Sequence, residues 1–527
     1  MGNEGLWHLL ELIFGYLDHE TIVICRKVSY LWDESLEPLE RSFLIKILCE
    51  FGDKIADYHR SVKMDTEEEV LIVISGWNEA VHNYGQNASI EDLRELKNSL
   101  KKLIRPNDKC LDHPVQNSVK IGDVKLLKFL FSASYDVNDR FNRGCTAFLW
   151  ACTYGNTKAA KWILELTKEK DLNCLNDRDN AGMTAFHWAC YNHETAEWIL
   201  SLAKENNGID FNARDERGMT PFLVACESGE TETAQMLLNF SQQNGRIDLS
   251  ARDDRGRTAF HMACTNHKAD TPKIILDFSK ENDAIDLNAR DNRGMTAFHL
   301  ICKGNGKPQF AKWILDFSLE TDVIDLNARD SDGMTALHRA CRDTPENVIL
   351  ILDFAKEHGG IDIHAKDTIC GFTAFHWACN NDSIECVKLF LKFSQEMGSI
   401  SLNATDDYGR TAFHVTCYMY NTEMAKLILD FSKENGKIDL NARDDNGETA
   451  FQVACAIFSI KIVKMILENW KEFGIDITNK NIEGQTALDI LLEQENDGLN
   501  ELITMLEKEY SKIDTSEPVD AERIQKS

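Results

Sequence analysis

The sequence predicts an all-α solenoid of about eleven stacked helix pairs with short β-finger turns, preceded by a small helical domain. Three observations carry this expectation. First, a segment of the type Asn288-Ala-Arg-Asp-Asn-Arg-Gly-Met-Thr-Ala-Phe-His-Leu-Ile-Cys302 recurs down the chain. Second, its Thr falls at Thr146, Thr184, Thr220, Thr258, Thr296, Thr335, Thr373, Thr411, Thr449 and Thr486, spaced 36 to 39 residues apart. A period that steady marks a stacked array rather than unrelated domains. Third, each unit adds a stretch such as Ala425-Lys-Leu-Ile-Leu-Asp-Phe431, apolar at helical spacing.

Within the unit, Asp-x-x-Gly is turn chemistry: the carboxylate can accept from the backbone two residues on, and Gly accepts positive φ. The Thr is positioned to cap a short helix, and His three residues later can bond back to it. Phe, Ala and Cys lie on that helix's packed faces. The Thr-Ala-Phe-His-x-Ala-Cys core resembles the Thr-Pro-Leu-His-x-Ala motif of the ankyrin repeat. The resemblance implies turn, helix, turn, helix in every unit.

The array is expected to span 107–510. A degenerate first unit begins at His113-Pro-Val-Gln-Asn-Ser-Val119, and the last, from Thr486, replaces Cys by Leu492. Terminal repeats need polar outer faces, so degeneracy is expected there. The unit here is usually 38 residues against about 33 for the family. The extra residues fall after the outer-helix core, in Asp430-Phe-Ser-Lys-Glu-Asn-Gly436 and its counterparts, and are expected to lengthen that helix. Pro272, Pro308 and Pro345 are expected at the first position of outer helices.

Composition limits function. Lys and Arg total 58 against 86 Asp and Glu, a net charge of −28, which opposes general binding to nucleic acid or anionic membrane. No apolar run approaches the ~18 residues of a membrane span. The start lacks the blocks of a signal peptide, and Leu6 breaks a myristoylation pattern. Nine of the 16 cysteines sit six residues after the motif Thr. Equivalent positions one repeat apart are too distant for a disulfide, and Cys there acts as a small core hydrophobe. The protein is expected to be reduced, in the cytoplasm or the nucleus.

Residues 1–45 form a second recognisable stretch. Leu6, Leu9, Leu10, Ile13, Phe14 and Leu17 mark one amphipathic helix; Ile22, Val28 and Trp32 belong to another. The run Ile13-Phe-Gly-Tyr-Leu-Asp18 and then Arg26-Lys-Val-Ser-Tyr-Leu-Trp32 resembles the F-box, with Trp7 where that family has Pro. The resemblance implies that these nine apolar residues dock a Skp-type adaptor and, through it, a cullin. A helical hairpin without an adaptor is the competing reading. Residues 46–106 read as a helical linker in which Ser89-Ile-Glu-Asp92 opens a helix with a capping box; 511–527 read as a disordered tail.

Chemical signals are sparse. His-x-x-Cys recurs, as at His299/Cys302, at a spacing that could ligate zinc, but the repeat already accounts for both positions. Lys303-Gly-Asn-Gly-Lys-Pro308 resembles a phosphate loop without meeting the motif. No catalytic constellation, metal or cofactor is expected; the chain reads as a non-catalytic binding subunit. Candidate partner-binding residues are, on the finger tips, Arg143, Arg217, Arg255, Arg257, Arg293, Phe372 and Tyr408, with Met219, Met295, Met334 and Arg410. Tyr154, Tyr191, Arg342 and Tyr418 follow the repeated Cys on the inner helices. Arg, Met and aromatic residues are the types enriched at hot spots. A row of Arg in so acidic a chain suggests an acidic or phosphorylated protein segment as ligand. The alternative is a solvated ladder of pairs such as Arg252–Asp253 and Arg290–Asp291. Two functions therefore compete: substrate receptor of an SCF-type cullin–RING ubiquitin ligase, or a plain ankyrin scaffold.

Overall fold

The computed structural model describes residues 114–513 except 134, 170–173, 206–207, 267–269, 305–306, 399–400 and 494–498, together with 44–46, 49, 80–81, 88–89, 91–93 and 95–96. The F-box-like residues Leu6 to Trp32 lie outside the described residues, as does the tail beyond 513. Of the linker, Ser89 and Asp92 form the expected capping box: Asp92 N donates to Ser89 Oγ at 3.1 Å and Ser89 N to Asp92 Oδ2 at 3.3 Å. Lys125 of the first repeat pairs with Glu95 and lies 3.6 Å from Asp92, joining linker and array.

Eleven helix pairs follow among the described residues. The chain divides between Asp248 and Leu249 into two compact units. The first holds repeats 1–4, from Pro114–Ile121 paired with Val124–Ala133 to Pro221–Ser228 paired with Thr231–Asn244. The second holds repeats 5–11, from Ala259–Thr265 paired with Thr271–Ser279 to Ala487–Leu492 paired with Asn500–Ile513. Within each unit, inner helices pack on inner helices of neighbouring repeats and outer helices on outer.

Each inner helix starts where its sequence dictates. The motif Thr takes an extended backbone, as at Thr373 (φ −82°, ψ 168°), and its hydroxyl receives the His376 amide at 3.5 Å. Phe, Ala and Cys then enter the core: Phe260, Ala263 and Cys264 are at most 1% exposed. The repeated cysteines are free thiols, and burial pushes the Cys379 thiol up to about 12, so it behaves as packing. The extra residues of the unit are helical: Thr422–Asn435 runs 14 residues and stops at Gly436, φ 61°. Pro308 and Pro345 open outer helices as expected, whereas Pro272 sits one residue inside, after Thr271.

Isolated bridges such as Arg178 with Thr184 close single fingers, and backbone bonds such as Asn292 N to Arg255 O at 2.9 Å link one finger to the next. Side-chain clamps do most of the joining. Asn288 Nδ2 donates to Val323 O at 2.8 Å while its Oδ1 accepts from Asp325 N at 2.8 Å. Asn327 repeats this on Gly360 and Asp362, both at 2.7 Å.

Candidate functional site

The surface available to a partner is the row of finger tips and inner-helix ends. Its geometry begins with the finger Asp. Asp291 Oδ1 accepts from Arg293 N at 2.8 Å and Met295 N at 2.9 Å, and Gly294 at φ 71° closes the turn. The other oxygen of this buried carboxylate takes a partner that varies by repeat. It is the indole of Trp188 on Asp179 (3.0 Å) and of Trp377 on Asp367 (2.6 Å). Elsewhere it is a guanidinium: Arg257 on Asp253 at 2.9 Å, Arg339 on Asp330 at 2.7 Å, Arg410 on Asp406 at 2.8 Å.

Several of the expected contact residues have partners within the fold. Arg257 and Arg410 are structural counter-ions, with side chains only 20% and 24% exposed. Arg217 is tied to Asp215 and Glu227, each at 3.2 Å. Phe372 is buried at 6%, stacked on His376, and Met219, Met295 and Met334 are buried too: the residue after the finger Gly turns inward to fill the seam between repeats. Tyr154 is half-buried, stacked on Trp150, and its hydroxyl receives Gln116. The supposed Arg–Asp ladder is a ladder to backbone carbonyls. Arg252 Nη1 donates to Gly256 O (3.1 Å) and Arg290 O (2.6 Å), and Arg290 to Arg329 O (2.7 Å).

The remaining candidates are exposed. Arg143 lies in the first unit, with Tyr191 40% exposed. In the second unit stand Arg255, Arg293 and Arg342, and then Tyr408 and Tyr418 at 56% and 53%. Two cations were not among the expected contact residues: Lys303, noted only in the phosphate-loop-like run, and Arg339. Partial burial, and after it the field of Arg339, Arg293 and Arg342, lowers the pKa of Lys303. Aligning repeats on the Cys finds Lys303, since it shares a column with Arg342 and Tyr418.

The His residues are sealed into the stack. His299 Nδ1 accepts from Thr296 N at 3.2 Å, and Nε2 donates to Met334 O of the next repeat at 3.0 Å. His187, His261, His338, His376 and His414 repeat the bridge. Burial lowers the pKa of all six, His376 to about 4. Both nitrogens of these rings are engaged within the protein, so their chemistry is architectural.

A family model for ankyrin repeats, three copies long, matches at 116–215, 199–290, 275–367 and 351–441, together more than half of the 527 residues. The chain belongs to the ankyrin-repeat family. Among solved structures it is similar to the ankyrin repeat domain of Bcl-3, a member of the IkappaB family, at 21% identity and a TM-score of 0.36. That match covers 55% of this chain and 100% of the other. No curated protein sequence matches significantly. Ankyrin repeats are protein-interaction modules, and no helix among the described residues is long and apolar enough to cross a membrane.

Proposed function

We propose that this ankyrin-repeat protein is a substrate receptor of an SCF-type cullin–RING ubiquitin ligase. The observation that carries the reading is the F-box-like run Ile13-Phe-Gly-Tyr-Leu-Asp18 with Arg26-Lys-Val-Ser-Tyr-Leu-Trp32, on the N-terminal side of a binding array and joined to it by the linker. The N-terminal helices dock a Skp-type adaptor and cullin, in the cytoplasm or the nucleus. The repeats hold a substrate protein. The chain itself does no chemistry. It raises the local concentration of substrate lysines near a charged conjugating enzyme, a proximity effect. The competing reading, an ankyrin scaffold without ligase association, shares the array and differs only at the N-terminus.

The full-length chain mixed with purified Skp-type adaptor should co-elute with it in size exclusion. Leu10→Ala, Ile13→Ala and Leu17→Ala together should abolish co-elution while the thermal transition of the repeats stays in place. Wild-type protein that elutes apart from the adaptor rules the ligase reading out in favour of the scaffold.

A further inference from the structure

Two surface columns of the repeat change character along the second unit. One is the residue before the finger Gly: Arg255, Arg293, Asp332, Cys370, Tyr408, Asn446 and Glu483 in repeats 5–11. The other is the residue after the repeated Cys, where Lys303, Arg342 and Tyr418 mark repeats 6, 7 and 9. Read together, the columns are cationic in repeats 5 and 6, mixed in repeat 7 (Asp332 with Arg342), aromatic in repeat 9 and acidic toward repeat 11.

Within the cationic part, some side chains serve the fold and others are accessible. Arg257 and Arg339 are consumed by Asp253 and by Asp330 with Asp332. Arg293 is exposed and Lys303 half-exposed; partial burial first, and then the charges of Arg339, Arg293 and Arg342, disfavour the charge on Lys303. In a chain of net charge −28, cations concentrated this way attract an anionic partner.

The aromatic part stands in repeat 9, where exposed side chains gather on the turn and finger tip. Tyr420, two residues beyond Tyr418, adopts φ 59° while 58% exposed. The same turn uses Gly155 and Gly229 in repeats 2 and 4, at φ 67° and 77°, and Asp382 and Phe458 in repeats 8 and 10, at φ 58° and 62°. A bulky aromatic in the left-handed region is disfavoured, and an exposed one recovers little by packing. Tyr408, Tyr418 and Met419 of the same repeat are exposed as well.

We propose that this face of the second unit is a bipartite docking groove for an extended segment of a partner protein. Acidic side chains of the segment meet Arg293, Lys303 and Arg342, and an apolar side chain packs on Tyr408 and Tyr418. Stacked helices lie about 10 Å apart, so two repeats separate Arg342 from Tyr418 by roughly 20 Å. An extended chain covers that in about six residues. The segment is therefore acidic, with an aromatic or large aliphatic residue about six positions away. The groove deepens the substrate-binding half of the proposed function and is independent of the adaptor half.

The test uses the full-length chain and labelled peptides carrying an Asp/Glu block and a Phe about six residues from it, in both orders. Counterparts have Asn/Gln in place of the block, or Ala in place of Phe. One acidic peptide should bind at least about tenfold tighter than its Asn/Gln counterpart and weaken as salt rises. Arg293→Glu with Lys303→Glu should lose that preference, and Tyr408→Ala with Tyr418→Ala should erase only the advantage of Phe. Circular dichroism checks that both variants stay folded. Equal binding of acidic and neutral peptides, or unchanged affinity in the charge-reversed variant, overturns the groove. So does an oligonucleotide that binds tighter than any peptide. Adaptor co-elution on the same samples separates the two ideas: its failure leaves the groove standing, and failure of the peptides leaves the adaptor reading standing.

Discussion

At the scale of single residues the array rests on side chains that bond two repeats at once. His299 is typical, with one nitrogen receiving its own Thr296 and the other donating to Met334 O. Protonation of Nδ1 would set a donor against the Thr amide, so the native state needs the neutral ring. The sign of the pH effect follows. Each folded pKa is lowered, so the stabilisation is complete above the unfolded value near 6.5. It is lost as pH falls from there through the folded values, about 4 for His376. Across that window unfolding takes up as many as six protons, and the melting temperature should drop steeply. Repeat 10 shows how to remove the effect. Gln452 does the same work without titrating, accepting from Thr449 N at 3.0 Å and donating to Gln485 O at 3.0 Å. His299→Gln should therefore cost under ~1 kcal/mol at neutral pH and flatten the acid limb measured by calorimetry. His299→Ala should cost about 2–4 kcal/mol, because it strands a donor and an acceptor and leaves a cavity.

At the scale of elements, turns decide which substitutions the repeat tolerates. Gly294 combines φ 71° with a close approach: an added Cβ would lie 2.7 Å from Ser331 N of the next finger. Gly294→Ala should destabilise by about 2–4 kcal/mol, while Gly436→Ala, with φ 61° and open space around it, should cost only about 1–2 kcal/mol. Chemical denaturation of the two variants compares them directly. Tyr420→Gly should do the opposite and stabilise by about 1 kcal/mol, as its strained backbone is released. Elements were the most legible part of the sequence. Period, Thr cap, Asp-x-x-Gly turn and lengthened outer helix all follow from local chemistry that the chain repeats. What escaped was the other end of each side chain. Nothing near Arg257 distinguishes it from Arg255, yet one neutralises Asp253 and the other is exposed. Phe372 and Tyr408 both flank a finger Gly, but the residue after it packs inward and the one before it faces out. These differences belong to the stack, whose partners lie about a repeat away in sequence.

At the scale of the whole molecule, the proposed function assigns recruitment to the N-terminus and substrate binding to the array. Stacked repeats couple mainly to their neighbours, so changes confined to surface columns of repeats 6 and 7 should leave the rest of the chain folded. Affinity purification of three forms of the full-length protein tests that division most directly: wild type, Leu10→Ala/Ile13→Ala/Leu17→Ala, and Arg293→Glu/Lys303→Glu. Wild type should retain both a Skp-type adaptor and a set of partners with acidic segments. The first variant should lose adaptor and cullin and keep those partners, and the second should do the reverse. Adaptor recovery unchanged by the N-terminal substitutions would contradict the account at its centre.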